Sequence, residues 1–320
     1  MHNTTFNGSE GQYPAMWTQN EPTNALDLAL DKEALFTVKS APMGLVLDTQ
    51  PYVPLIGSGK YQGEPLNKGI YREFEDDGIH LLNITHPSFP ESNYLQVIET
   101  AEALFPETTT GMMVIDNGER LLFSQEIGDQ RDLGGGDTIQ PSLLWTASLN
   151  STWSSGCHGV GMRAFCANQL PMAHCHFKAR RTLNHDQHLA ERSKIMATLL
   201  DRVDEFTQNV STLKSIEITT EQFARILNKA IPAPVPDEDG NVHGKTQNAY
   251  ERKIAAVRYY FKEESEGPAA GTAWAAWNAV QSAESHDFTK GKNQEVKQAE
   301  IVMNNNLPLT NIFEKELLNV

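Results

Sequence analysis

Apolar positions in the first half of the chain fall into short runs broken by turn residues; in the second half they recur at helical spacing. Leu26, Leu28, Leu30, Leu35 and Phe36 predict a short helix over 25–36. Strands are predicted at 44–47, 69–74 and 79–85, the last bounded by Asp77-Gly78 before it and Pro87 after it. Leu95, Val97, Ile98, Ala101, Ala103 and Leu104 mark a helix over 94–105, which Pro106 ends. The runs 112–115 and 120–126 flank Asp116-Asn117-Gly118, a hairpin signal because Asn-Gly tolerates the positive φ of a tight turn. Residues 142–149 read as a strand, and 161–166 lead into another strand or a short helix.

From Asn184, a predicted N-cap with Gln187 three residues on, the pattern is helical. Leu189, Met196, Leu199, Val203 and Phe206 supply its buried stripe, and further helices are predicted at 220–229, 246–262 and 269–286. A Pro-rich acidic loop, 231–244, separates two of them. The fold class expected is α+β: a mixed β-sheet first half with packed helices, then an all-helical second half. Three regions are expected: a flexible tail over 1–23, an α+β core over 24–210, and a helical region over 211–320.

With 320 residues the chain can bury a sizeable core. Its longest apolar runs fall far short of the roughly 18–20 residues of a membrane helix. No amino-terminal stretch has the order of a signal peptide, so the reading is a cytoplasmic protein with no membrane partner. In that compartment the sequons at Asn3, Asn7, Asn83, Asn150 and Asn209 carry no meaning, and the three cysteines read as thiols.

Charge changes the picture. The chain carries a net charge of −15, and residues 61–140 hold fifteen acids against four bases. Residues 141–200 reverse this, with six bases (Arg163, Lys178, Arg180, Arg181, Arg192, Lys194) and two acids, Asp186 and Glu191. Five of the ten histidines and all three cysteines lie there too. The overall balance argues against a general nucleic-acid coat but leaves room for a local basic groove, because exposed charges are screened beyond about 8–10 Å.

Two loops imitate known motifs and fail. Gly57-Ser58-Gly59-Lys60 has Pro54 where a phosphate loop needs its first Gly, and Tyr61 where it needs Ser or Thr. Asp237-Glu238-Asp239-Gly240 lacks the order of a calcium loop. Cys157, His158, Cys166, His174, Cys175 and His176 are donors suited to zinc, but their main intervals are eight or nine residues, not the short spacing of a knuckle. A metal site and a buried thiol beside exposed histidines both stand. Arg181, His185, His188 and Arg192 follow spacings of four, three and four, one face of a helix. With Lys178 and Arg180 upstream and Lys194 beyond, that face is read as a cradle for a polyanion or as a solvated surface. Trp274 and Trp277 are assigned to packing in preference to base stacking.

The chain resembles the phage and plasmid-like proteins grouped as domain of unknown function 932. The resemblance runs from about Ala25 to His286 and is densest in Gly136-Asp-Thr-Ile-Gln-Pro-Ser-Leu-Leu-Trp145, Met162-Arg-Ala-Phe-Cys-Ala-Asn-Gln-Leu170 and the late helix with Thr272, Trp274 and Asn278. Members commonly read Ser-His-Asp-Gly-Ser where this chain has Ser148-Leu-Asn-Ser-Thr152, and Arg-His-Thr where it has Arg180-Arg-Thr182. A catalytic His-Asp pair is therefore absent at 149 and 150. The resemblance implies an origin in a bacteriophage or mobile element and brings no established activity. The outline is also similar to the single-strand annealing proteins of phages.

Three functions follow as expectations. The first is a non-enzymatic protein that binds and anneals single-stranded DNA in phage replication or recombination. It would work as a homo-oligomer without cofactor and bind through Arg163, Lys178, Arg180, Arg181, His185, His188, Arg192 and Lys194. The second is a metal-dependent enzyme on nucleic acid or nucleotide that uses the His/Cys cluster. The third is an acidic accessory protein that binds a host or phage replication protein.

Overall fold

The computed structural model describes residues 21–43, 67–74, 78–86, 89, 91, 93–163, 169–179, 184–193, 199–237, 241–289, 294–304 and 306–318. The strand predicted at 44–47, the first twenty residues of the expected tail, Cys166, Arg180, Arg181 and Lys194 lie outside them.

The fold is α+β, with antiparallel pairing throughout the described sheets. A three-stranded sheet runs β1 (Lys39–Met43), β2 (Asn67–Phe74), β3 (Gly78–Thr85). The larger sheet has the order β4 (Thr109–Ile115), β5 (Arg120–Glu126), β7 (Asp137–Ser148), β8 (Ser155–Arg163), β9 (Gln169–Ala179). The short strand β6 (Arg131–Gly134) pairs with the first residues of β7, continuing the side on which β5 pairs farther along.

Register explains how the large sheet buries both faces. Met112, Phe123, Trp145, Cys157 and Phe177 are successive partners across five strands, and all five are buried in one core. The Phe123 and Trp145 rings stack with centroids 5.8 Å apart, and Phe177 meets Trp145 edge-on at 5.7 Å. Helices α1 (Ala25–Asp31), α2 (Leu95–Leu104) and α3 (His185–Ser193) belong to this side through Leu28, Ile98 and Leu189. Because side chains alternate along a strand, Leu122, Leu144 and Val160 face the other way. There they pack with Val296, Ala299 and Met303 of α8 (Gln294–Asn304).

Local chemistry sets the element ends. Asn24 caps α1 by accepting from the Leu26 and Asp27 amides. The Glu102 carboxylate of α2 also accepts from the Ala25 amide at 2.7 Å, so the acid end of one helix holds the start of another. Thr219 and Gln222 form a reciprocal capping box at α5 (Thr220–Ala230). The expected hairpin is present, closed by a 3-10 turn over Asp116–Gly118 in which all three residues have positive φ.

A second core joins α5, α6 (Gly244–Ser265), α7 (Ala273–Ser282) and α9 (Pro308–Leu317) to Leu133 of β6 and Ile139 of β7. Helix α4 (Leu199–Ser215) bridges the two: Val203 lies in the sheet core, whereas Val210 and Leu213 lie in the helical one. A boundary at residue 210 therefore runs through a continuous helix. Among the described residues no helix is long and apolar enough to cross a membrane.

Candidate functional site

The outer strand β9 ends at Ala179, and α3 begins six residues later and packs back against β9 and β8. This corner holds the described part of the sequence segment 174–194. His176 is exposed and Lys178 half-buried on one face of β9, alternating with the core residues Phe177 and Ala179. Lys178 Nζ donates to Asn304 Oδ1 of α8 at 3.3 Å.

His158 of β8 is the strand partner of His176, and their rings lie nearly parallel with centroids 5.9 Å apart. Burial holds the His158 pKa at about 3 against its ordinary 6.5, with the Lys178 and His176 charges adding to the effect. His158 is therefore neutral at physiological pH, and its buried Nε2 has no hydrogen-bond partner. Lys178 contributes a positive charge to this row.

The candidate strip does not form one surface. Arg163 is fully buried: its guanidinium donates from Nε and Nη2 to the two Asp137 oxygens at 2.9 and 3.0 Å, and from Nη1 to Glu264 Oε1 at 2.6 Å. It is an internal counter-ion and reaches no external anion. His185 is also buried, with Nδ1 3.0 Å from Asp186 Oδ1, because it shares the inward face of α3 with Leu189 one turn away. Only His188 of the four-residue helix face is a described exposed side chain, with Asp186, Gln187 and Glu191 exposed around it. Arg192 lies within α3, its side chain outside the description, as Arg180, Arg181 and Lys194 are altogether. Lys178 points to the α8 side of the sheet, whereas α3 packs on the opposite side.

The proposed His/Cys ligand set also divides. Cys157 belongs to the core row beside Trp145, and His158 next to it faces α8. Consecutive strand residues cannot turn both side chains to one ion. The described residues hold no group of three metal-competent side chains.

The charged cluster around Arg163 escaped the sequence reading. Asp137 also accepts from Trp274 Nε1 at 3.0 Å and lies 3.5 Å from Lys214 Nζ. Lys214 donates to the carbonyls of Leu133 and Gly134 in the glycine-rich turn. The Arg163 guanidinium sits 5.6 Å from the Trp274 ring centroid, and Trp277 stacks on Trp274 at 5.2 Å. The tryptophans are thus packing residues, as expected. The cluster locks the end of the sheet to α4, α6 and α7.

The chain matches no curated protein and no solved structure. A family model described as "Domain of unknown function (DUF932)" matches residues 92–307. That span takes in α2, the whole six-stranded sheet, helices α3 to α8 and every residue of the buried charge cluster. The chain belongs to the DUF932 family.

Proposed function

We propose that this protein binds single-stranded DNA at the β9–α3 corner and anneals complementary strands, without catalysing a reaction, in the replication or recombination of a phage or related mobile element. One observation carries the reading. Helix α3 folds back onto β9, so two ends of the stretch richest in Lys, Arg and His, Lys178 on the α8 face and exposed His188 on α3, flank one edge of the sheet in a strongly acidic chain. Lys178, Arg180, Arg181, His188, Arg192 and Lys194 are its contact residues; His185 is packed beneath α3, and Arg163 stands at the other end of β8. An annealing protein holds phosphates and leaves base edges free to pair, so a cationic corner suits it better than an enclosed pocket.

Titrating a labelled oligonucleotide at several salt concentrations tests this. Affinity should fall on a log-log plot with a slope of about −0.7 per phosphate contact. An Arg180→Ala/Arg181→Ala double variant that binds and anneals like the parent protein would remove the corner from the mechanism.

A further inference from the structure

A groove of about 670 Å3 opens between the 231–237 segment, α6 and the start of α9. Pro234, Tyr250, Phe288, Leu309 and Ile312 give it an apolar lining, and Lys253 is its cationic wall residue. Lys253 is exposed, with its ammonium 5.6 Å from the Phe288 ring centroid. Glu284 at the base is already engaged: it accepts from the Leu309 and Thr310 amides and the Thr310 hydroxyl and so holds the start of α9.

The residue next to Pro234 is the most exposed large apolar side chain among the described residues: Val235, at 89%. Ile312, on the far wall, is 46% exposed. Pro232, Pro234 and Pro236 fix φ at alternate positions, so the Val235 knob stands on a stiffened strap and docking it costs little conformational entropy. Asp237 follows two residues later, with Asn241 closing the loop tip through its amide at 2.7 Å.

We infer that this groove is a twofold interface with a second copy of the chain. A knob beside a hole on one surface is self-complementary about a twofold axis, because each copy offers the strap that the other receives. Val235 of each copy enters the apolar groove of the other, and Asp237 is carried toward Lys253 of the second copy. An apolar knob flanked by a carboxylate answers an apolar groove flanked by an ammonium. The contact closes on itself and yields dimers, not open filaments. It does not depend on the nucleic-acid reading.

Light scattering coupled to size exclusion, run on the full chain over a concentration series, reads the result. The expected outcome is a dimer for the parent protein and dimerisation weaker by about thirtyfold or more for Val235→Asp, the loss typical of a central interface residue. Lys253→Glu should weaken it too, and Asp237→Lys combined with Lys253→Glu should recover part of the loss. Circular dichroism of Val235→Asp should match the parent, since that side chain is in solvent. A parent protein that stays monomeric at high micromolar concentration overturns the inference. So does a Val235→Asp variant that dimerises as the parent does. A monomer that binds a synthetic 231–237 peptide in the groove also overturns it, and assigns the groove to a Pro-rich segment of another protein.

Discussion

Arg163 and Glu264 meet across 101 residues of sequence, with Nη1 2.6 Å from Oε1 and both side chains out of contact with solvent. Asp137 accepts from Nε and Nη2 of the same guanidinium, and Lys214 approaches it to 3.5 Å, so two cations answer two buried carboxylates. Removing one member of such a set leaves uncompensated charge and costs about 3–5 kcal/mol. Arg163→Met should lose that much stability in urea denaturation. Glu264→Gln should lose less, because the amide keeps an oxygen for Nη1 and leaves Asp137 in place.

Glu264 also makes stability depend on pH. Burial raises its pKa above the ordinary 4.5, and the attraction of Arg163 only partly offsets this while Asp137 adds to it. The folded state therefore holds this proton more tightly than the unfolded chain. The stabilisation is complete below the ordinary carboxylate range and is lost as pH rises through the raised folded value. Compared with Glu264→Gln, the parent protein should lose ground steadily as urea midpoints are measured from pH 4 to 7. A constant difference between the two proteins would contradict the buried-carboxylate account.

His158 gives the opposite slope. Its pKa in the folded state is about 3 and its ordinary value 6.5, so the unfolded chain takes up the proton first as pH falls. Stability from a neutral His158 is complete above the ordinary value and is lost on acidification toward the folded one, by about 2 kcal/mol near pH 5 and at most about 5 kcal/mol near pH 3. His158→Asn should flatten that acid limb. The two substitutions act in opposite directions over the same pH interval, so denaturation curves of both variants separate the two contributions.

Gly118 has φ +105°, and a Cβ built there would come within 2.7 Å of Cζ in the Phe36 ring. Tyr94 donates its hydroxyl to the Gly118 carbonyl, fixing the turn against α2 at 2.8 Å. Arg72 is stacked at 4.3 Å from the centroid of the same Phe36 ring, which limits its room to move. Gly118→Ala should lower stability by about 1–3 kcal/mol through strained backbone and this clash. Adding Phe36→Leu should recover only the steric part of the loss in thermal melts.

That turn was legible in the sequence because its cause is local: Asn117-Gly118 supplies the positive φ, and the flanking runs supply the pairing. The helices expected at 220–229, 246–262 and 269–286 were legible from their apolar spacing, which is also a local signal. Strand β9 was not, because His174, Cys175 and His176 read as ligands and concealed a period of two in which His176 and Lys178 alternate with Phe177 and Ala179. Helix α8 was also missed; its described sheet-facing residues, Val296, Ala299 and Met303, are spread among polar ones. Arg163 looked like one cation among six. Its partners stand 26 and 101 residues away, and no local spacing announces a charge that will be buried.

This difference between cations yields a prediction about binding. Lys178 sits half-exposed at the end of β9, where it donates to Asn304 at 3.3 Å, whereas Arg163 is enclosed by Asp137 and Glu264. If the corner binds single-stranded DNA, Lys178→Ala should reduce the salt slope by about 0.7, the value of one phosphate contact, and leave the melting temperature nearly unchanged. Arg163→Lys should do the reverse, because a lysine cannot span both carboxylates with a fork of donors. It should lower the melting temperature, while the protein that remains folded keeps the parent's salt slope. Salt-dependent oligonucleotide titrations beside thermal melts of both variants decide it. An equal loss of salt slope in the two would mean that the buried arginine also governs the surface from the far end of the sheet.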